Sequence, residues 1–88
     1  MDEIKIQLKD YIAKNILFNP QGYPYPDDAS FMEEGIVDSV GIMELIAFIE
    51  DNYAIVVDNT HITPQNFDTV TSLAAYVAAR GGSGKADG

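Results

Sequence analysis

The chain has 88 residues, 47% of them apolar, which is enough for one small core and leaves no room for a second domain. Fourteen acidic residues against five basic ones give a net charge of −9, which repels nucleic-acid phosphates and anionic lipid, so neither is an expected partner. The absence of cysteine excludes disulfides and thiolate metal centres.

The first element in chain order is an amphipathic helix over about residues 2–17. Ile4, Leu8, Tyr11, Ile12 and Asn15/Ile16 recur at three and four, while Lys5, Lys9, Asp10 and Lys14 face elsewhere. Pro20, Gly22, Pro24 and Pro26 then exclude regular structure, giving a connection of roughly twenty residues, which is long for so small a domain. Phe31, Ile36 and Val37 are the residues expected to pin it to the core.

A second helix is expected from Ser39 to Tyr53, with Ile42, Leu45, Ile46, Ile49 and Tyr53 forming one buried stripe. Residues 53–57, Tyr-Ala-Ile-Val-Val, have no partner strand and are expected to run extended, tucking Ile55 and Val57 inward. Thr63-Pro64 starts a brief third helix ending near Phe67 or Asp68. Thr69 or Thr71 caps a fourth, with Leu73, Ala74, Tyr76 and Val77 as its apolar face, stopping at Gly81-Gly82. The expected fold is all-α, a four-helix bundle with a long first loop and a short third helix over residues 1–80, followed by a flexible tail at 81–88.

No wholly apolar run, that of residues 45–49 included, approaches the roughly 20 residues that span a bilayer. The opening Met1-Asp2-Glu3 lacks the basic-then-apolar pattern of a signal peptide, so a soluble cytoplasmic monomer is the expectation.

One hydroxyl stands out. Ser39 opens the second helix directly after Gly35-Ile36-Val37-Asp38, inside residues 15–79, which hold ten acidic residues and no lysine or arginine. A serine at a helix start can hold a phosphate ester beside free N–H groups and the positive end of the helix dipole. Taken alone it would be an ordinary N-cap contributing about 1 kcal/mol. The outer side of the same helix presents Val40, Met43, Glu44, Ala47, Glu50 and Asp51, apolar points among carboxylates that suit docking of a basic protein surface. His61, the single histidine, falls in a connection with nothing to mark it as a base for Ser39, which argues against a serine hydrolase. Asp27-Asp28 and Glu33-Glu34 lack the spacing and central glycine of a calcium loop, and no metal site is expected.

Gly35-Ile36-Val37-Asp38-Ser39-Val40, followed by Glu44-Leu45, Phe48-Ile49-Glu50, residues 53–57, Pro64, Phe67, Thr69-Val70 and Ser72-Leu73-Ala74, resembles the acyl and peptidyl carrier proteins over nearly the whole chain. The resemblance implies that Ser39, preceded by Asp38, receives 4′-phosphopantetheine from coenzyme A and carries acyl or aminoacyl groups as thioesters. It implies no catalysis by the chain itself. The implied partners are a phosphopantetheinyl transferase, an acyl or aminoacyl loading ligase, and synthase or transferase enzymes with basic docking patches, in fatty acid, polyketide or nonribosomal peptide biosynthesis. An acyl chain would shelter between helices at Ile42, Ile46, Ile55 and Val57.

Residues 62–74 resemble peptidyl-type and stand-alone specialised carriers more than housekeeping fatty acid carriers. Gly41 departs from the family pattern, where many members have a polar or acidic residue, and as a glycine it costs the helix up to about 1 kcal/mol. The alternative is a small acidic interaction module that recognises a basic partner without any prosthetic group.

Overall fold

The computed structural model describes residues 2–80. It is all-helical, with α1 (Asp2–Asn15), α2 (Ser39–Tyr53), α3 (Pro64–Phe67) and α4 (Val70–Ala79), and among the described residues there is no strand. A single 3₁₀ turn, Asn59–His61, precedes α3. The tail expected at 81–88 lies outside the described residues.

α1 ends two residues earlier than its periodicity suggests. Ile16 and Leu17 still donate their N–H groups to the carbonyl of Ile12, and then Phe18 turns into the left-handed region at φ 53°. Ile4, Leu8 and Ile12 are buried as the pattern requires, and Ala13 joins them, while Tyr11 is half-buried and Asn15 exposed. α4 packs closely on α1 and α3, laying Val70, Leu73, Ala74 and Val77 into the same core as Leu45 and Ile49 of α2.

The long connection, residues 16–38, is held rather than free. Phe31, Ile36 and Val37 are all buried, with Phe31 inaccessible. Polar ties reinforce these plugs. The N–H of Phe31 donates to the carbonyl of Asp68 at 2.7 Å, and that of Thr71 to the carbonyl of Asp27 at 3.1 Å. The Asp68 carboxylate accepts from the Ser30 hydroxyl at 2.5 Å and from the Met32 N–H at 3.2 Å. Lys9 and Lys5 of α1 reach Asp27 at 2.8 and 3.5 Å, so two of the lysines that face away from the apolar stripe clamp the loop to α1. The Lys9 hydrogen bond holds the Asp27 carboxyl below its ordinary value against a smaller opposing effect of desolvation, with the Lys9 and Lys5 charges acting in the same direction.

After α2 the chain turns through Ala54 in the left-handed region, at φ 56°. It then runs extended, with Ile55 and Val57 buried and Val56 exposed between them. Glu50 reaches back along this segment and accepts from the Val57 N–H at 2.9 Å. Asp58 caps the 3₁₀ turn by accepting from the Thr60 N–H, a short element that periodicity does not reveal. Thr69, not Thr71, caps α4, its hydroxyl accepting from the Ser72 N–H at 2.9 Å. Thr63 precedes Pro64 in extended conformation but makes no side-chain cap bond.

Candidate functional site

The start of α2 is built by two residues that precede and follow Ser39. Asp38, extended at φ −100° and ψ −172°, is the N-cap, and its carboxylate accepts from the Gly41 N–H at 2.9 Å. Ser39 is therefore the first helical residue and is not used as a cap. It is exposed, and its hydroxyl takes no part in the side-chain hydrogen bonds among the described residues. The first turn of α2 carries no acidic residue of its own, and the one carboxylate at this helix end, that of Asp38, is spent on the Gly41 N–H.

Gly41 has a steric reason to be glycine. A Cβ there would lie 2.7 Å from Cγ1 of Val37, closer than packed carbon atoms tolerate. The residue is buried against the loop that delivers Asp38 and Ser39, so the small side chain sets how closely α2 approaches Ile36-Val37. Any side chain larger than hydrogen there would crowd Val37.

On the outer side of α2, Val40 and Met43 are 67% and 61% exposed, and Glu44, Ala47 and Asp51 are exposed as well. Glu50 differs from the other carboxylates of this set, being half-buried and engaged by Val57. Five of the six residues assigned to a docking surface thus share an accessible face, and the sixth braces the segment after the helix.

The apolar positions assigned to a cargo pocket separate in a similar way. Ile46, Ile55 and Val57 are each only 8% exposed and belong to the core. Ile42 is half-buried and lines a recess of about 190 Å³ with Met32, Ile62, Thr63, Pro64, Phe67 and Asp68. Met32 and the α3 residues come from connections remote in sequence, so no periodicity flags them. The one local sign is an apolar Met32 beside Glu33-Glu34, and it is 63% exposed. The only charged group in this lining, Asp68, is already engaged by Ser30 and Met32.

The opposite flank of α2 faces α1 across an open groove. Tyr11 and Phe48 stack there with ring centroids 4.2 Å apart. Gln7, Asp10, Asn15 and Asn52 line one part of the groove, and Glu44, Ala47 and Asp51 join at the other. Burial, and secondarily the nearby Glu44 charge, raise the Tyr11 phenol above its ordinary value.

His61 lies in the 3₁₀ turn, with Nδ1 3.0 Å from the Tyr76 hydroxyl, and Arg80 sits over the Tyr76 ring at 5.7 Å. This cluster is a packing contact between the turn and α4, and no hydrogen bond joins His61 to Ser39. Among the described residues no group of three or more histidines or carboxylates is placed to hold a metal ion. No helix among them is long and apolar enough to cross a membrane. The chain matches no family model and no curated protein.

Proposed function

We propose that the chain is a carrier protein in which the Ser39 hydroxyl is the attachment point for 4′-phosphopantetheine. The observation that carries this reading is an exposed serine at the first position of α2, free of capping duty, beside exposed apolar and acidic side chains. The residues suit such a group. Asp38 spends its carboxylate on the Gly41 N–H, and the first-turn N–H groups that it does not occupy are left for a phosphodiester at the dipole's positive end. The arm would supply a thiol, which this cysteine-free chain lacks, able both to form and to release a thioester.

The chain's own residues hold and present. Gly41 and Val37 fix the approach of the loop that delivers Ser39, while Val40, Met43, Glu44, Ala47 and Asp51 offer apolar contact and negative charge to a basic enzyme surface. The long loop before α2 and the short α3 support this reading, since the resemblance to acyl and peptidyl carriers implies both. Its partners would be a phosphopantetheinyl transferase, a loading ligase, and synthase or transferase enzymes. Ile42 and the recess beside α3 offer apolar cargo partial shelter, each buried methylene contributing about 0.8 kcal/mol.

The test is intact-mass measurement after incubation with coenzyme A and a broad-specificity phosphopantetheinyl transferase. The expected result is a single added phosphopantetheine that Ser39→Ala abolishes completely. An unchanged mass, or a gain that survives Ser39→Ala, would leave an acidic interaction module without a prosthetic group.

A further inference from the structure

A hollow of about 470 Å³ lies where the end of α1 and the long connection meet the start of α2, and it shares no lining residue with the Ile42 recess. Ile16, Leu17, Phe18 and Gly35 line it together with Asp38 and Val40, so the residues on either side of Ser39 both belong to its wall. Phe18 is the residue that the fold does not account for. It is 77% exposed, and at φ 53° it occupies the left-handed region that disfavours a bulky side chain. A glycine or asparagine would end α1 at lower cost. The hollow is also rich in acceptors. Among the described residues no hydrogen bond is donated to the backbone carbonyls of Asn15, Ile16 or Leu17, at and just past the end of α1. Asn15 spends its amide nitrogen on the Tyr11 carbonyl at 3.2 Å, which leaves its side-chain oxygen as a further acceptor.

We propose that this hollow is the resting place of the phosphopantetheine arm, with Phe18 as the wall on which the arm's paired methyl groups lie. The inference rests on the attachment of that arm to Ser39. An arm that leaves the Ser39 oxygen starts between Asp38 and Val40 in the chain, at the edge of the hollow. Its amide N–H groups and hydroxyl are donors, which suit the free carbonyls and the Asn15 oxygen, while its methyl groups match Leu17, Phe18 and Val40. A shallow site is enough for a tethered group, whose effective concentration beside it is on the order of millimolar. Val40 and Glu44 line the hollow and also belong to the docking face, so an enzyme seated there displaces the arm that it is to receive.

The experiment is NMR of the isotope-labelled full chain before and after loading from coenzyme A by a phosphopantetheinyl transferase, with the loaded state verified by intact mass. Nuclear Overhauser contacts are expected from the arm's methyl protons to the Phe18 ring and to the methyl groups of Leu17 and Val40. Amide shifts between the unloaded and loaded chain should reach Asn15, Leu17 and Gly35. Phe18→Ala trims an exposed side chain, and an unchanged amide spectrum away from the hollow verifies the fold. It should lower the ratio of docked to free arm about fivefold, the equivalent of about 1 kcal/mol, while Phe18→Leu keeps part of the contact. Methyl contacts to Ile42 and Ile62 instead of Phe18 would place the arm at the recess and overturn the proposal. So would shifts confined to residues 38–40, or contacts indifferent to Phe18→Ala. A chain that gains no mass overturns the attachment to Ser39 and this inference with it, whereas a loaded chain without these contacts overturns the resting place alone.

Discussion

Toward α3, Ile42 meets Met32, Ile62, Pro64 and Phe67 in a recess with one committed carboxylate; toward α1, Phe48, Glu44 and Asp51 meet Tyr11 and Asn15 in a trough of rings and acceptors. The two flanks of a single helix therefore offer different chemistry, one mainly apolar and one lined by rings, amides and carboxylates. They also differ in how their far walls are held. The trough is walled by α1, whose Leu8 and Ile12 are inaccessible in the core. The recess is walled partly by the loop at Met32, where hydrogen bonds to Asp68 add to the burial of Phe31. A wall anchored by apolar burial alone and a wall that adds polar ties should fail under different perturbations.

The strongest way to separate them is Asp68→Ala, which removes the acceptor shared by the Ser30 hydroxyl and the Met32 N–H. We expect a loss of about 2 kcal/mol in urea unfolding, since hydrogen bonds to a charged group are involved. Faster amide exchange at Met32 and altered signals at Ile42 should accompany it, with Tyr11 and Phe48 unchanged. Equal loosening of both flanks would show that the tie is not local.

A smaller effect is expected from Gly41→Ala, where the 2.7 Å approach to Val37 opposes the helix-propensity gain. Overpacking costs about 1–3 kcal/mol and the propensity gain offsets about 1, so a net loss of about 1 kcal/mol is expected. Adding Val37→Ala should recover part of the Gly41→Ala loss in a double-mutant cycle, and strictly additive costs would locate the strain elsewhere.

The smallest effect is acid sensitivity at the loop's other attachment. Asp27 has a folded-state carboxyl value below 3.8 because Lys9 bonds it, so its stabilising contribution is present above 3.8 and is lost as pH falls through the lower folded value. Asp27→Asn should flatten the dependence of stability on pH below 3.8 and leave the recess unaffected. An unchanged acid limb would mean that the Lys5 and Lys9 ties do not contribute to folding.

Much of the helical framework is readable from residue pattern. The stripe Ile42, Leu45, Ile46, Ile49 and Tyr53 marks α2, with Ile42 only half-buried, and Pro64 marks the start of α3, whereas the structure had to choose Thr69 over Thr71 as the cap of α4. The 3₁₀ turn at Asn59–His61 escapes because three residues carry no period, and its cap, Asp58, looks like any acidic loop residue. Ser39 is visible as a residue, but its release from capping is not, since Asp38 and Ser39 are equally good N-caps by type. Glu50 and the pocket residues show the same limit. Composition identifies an acidic or apolar side chain, whereas its neighbours decide whether it faces a partner, a backbone N–H or the core.

The chain's order of apolar residues, prolines and caps by itself determined four helices, a pinned first loop and an acidic α2, because those features depend on local periodicity and backbone chemistry. Only the folded arrangement decided that Gly41 is a close-contact residue, that Lys5 and Lys9 serve Asp27, and that Met32 rather than Ile46 faces the recess. Each of these joins groups from different elements, and the distance between such groups is fixed by packing, which no local pattern records.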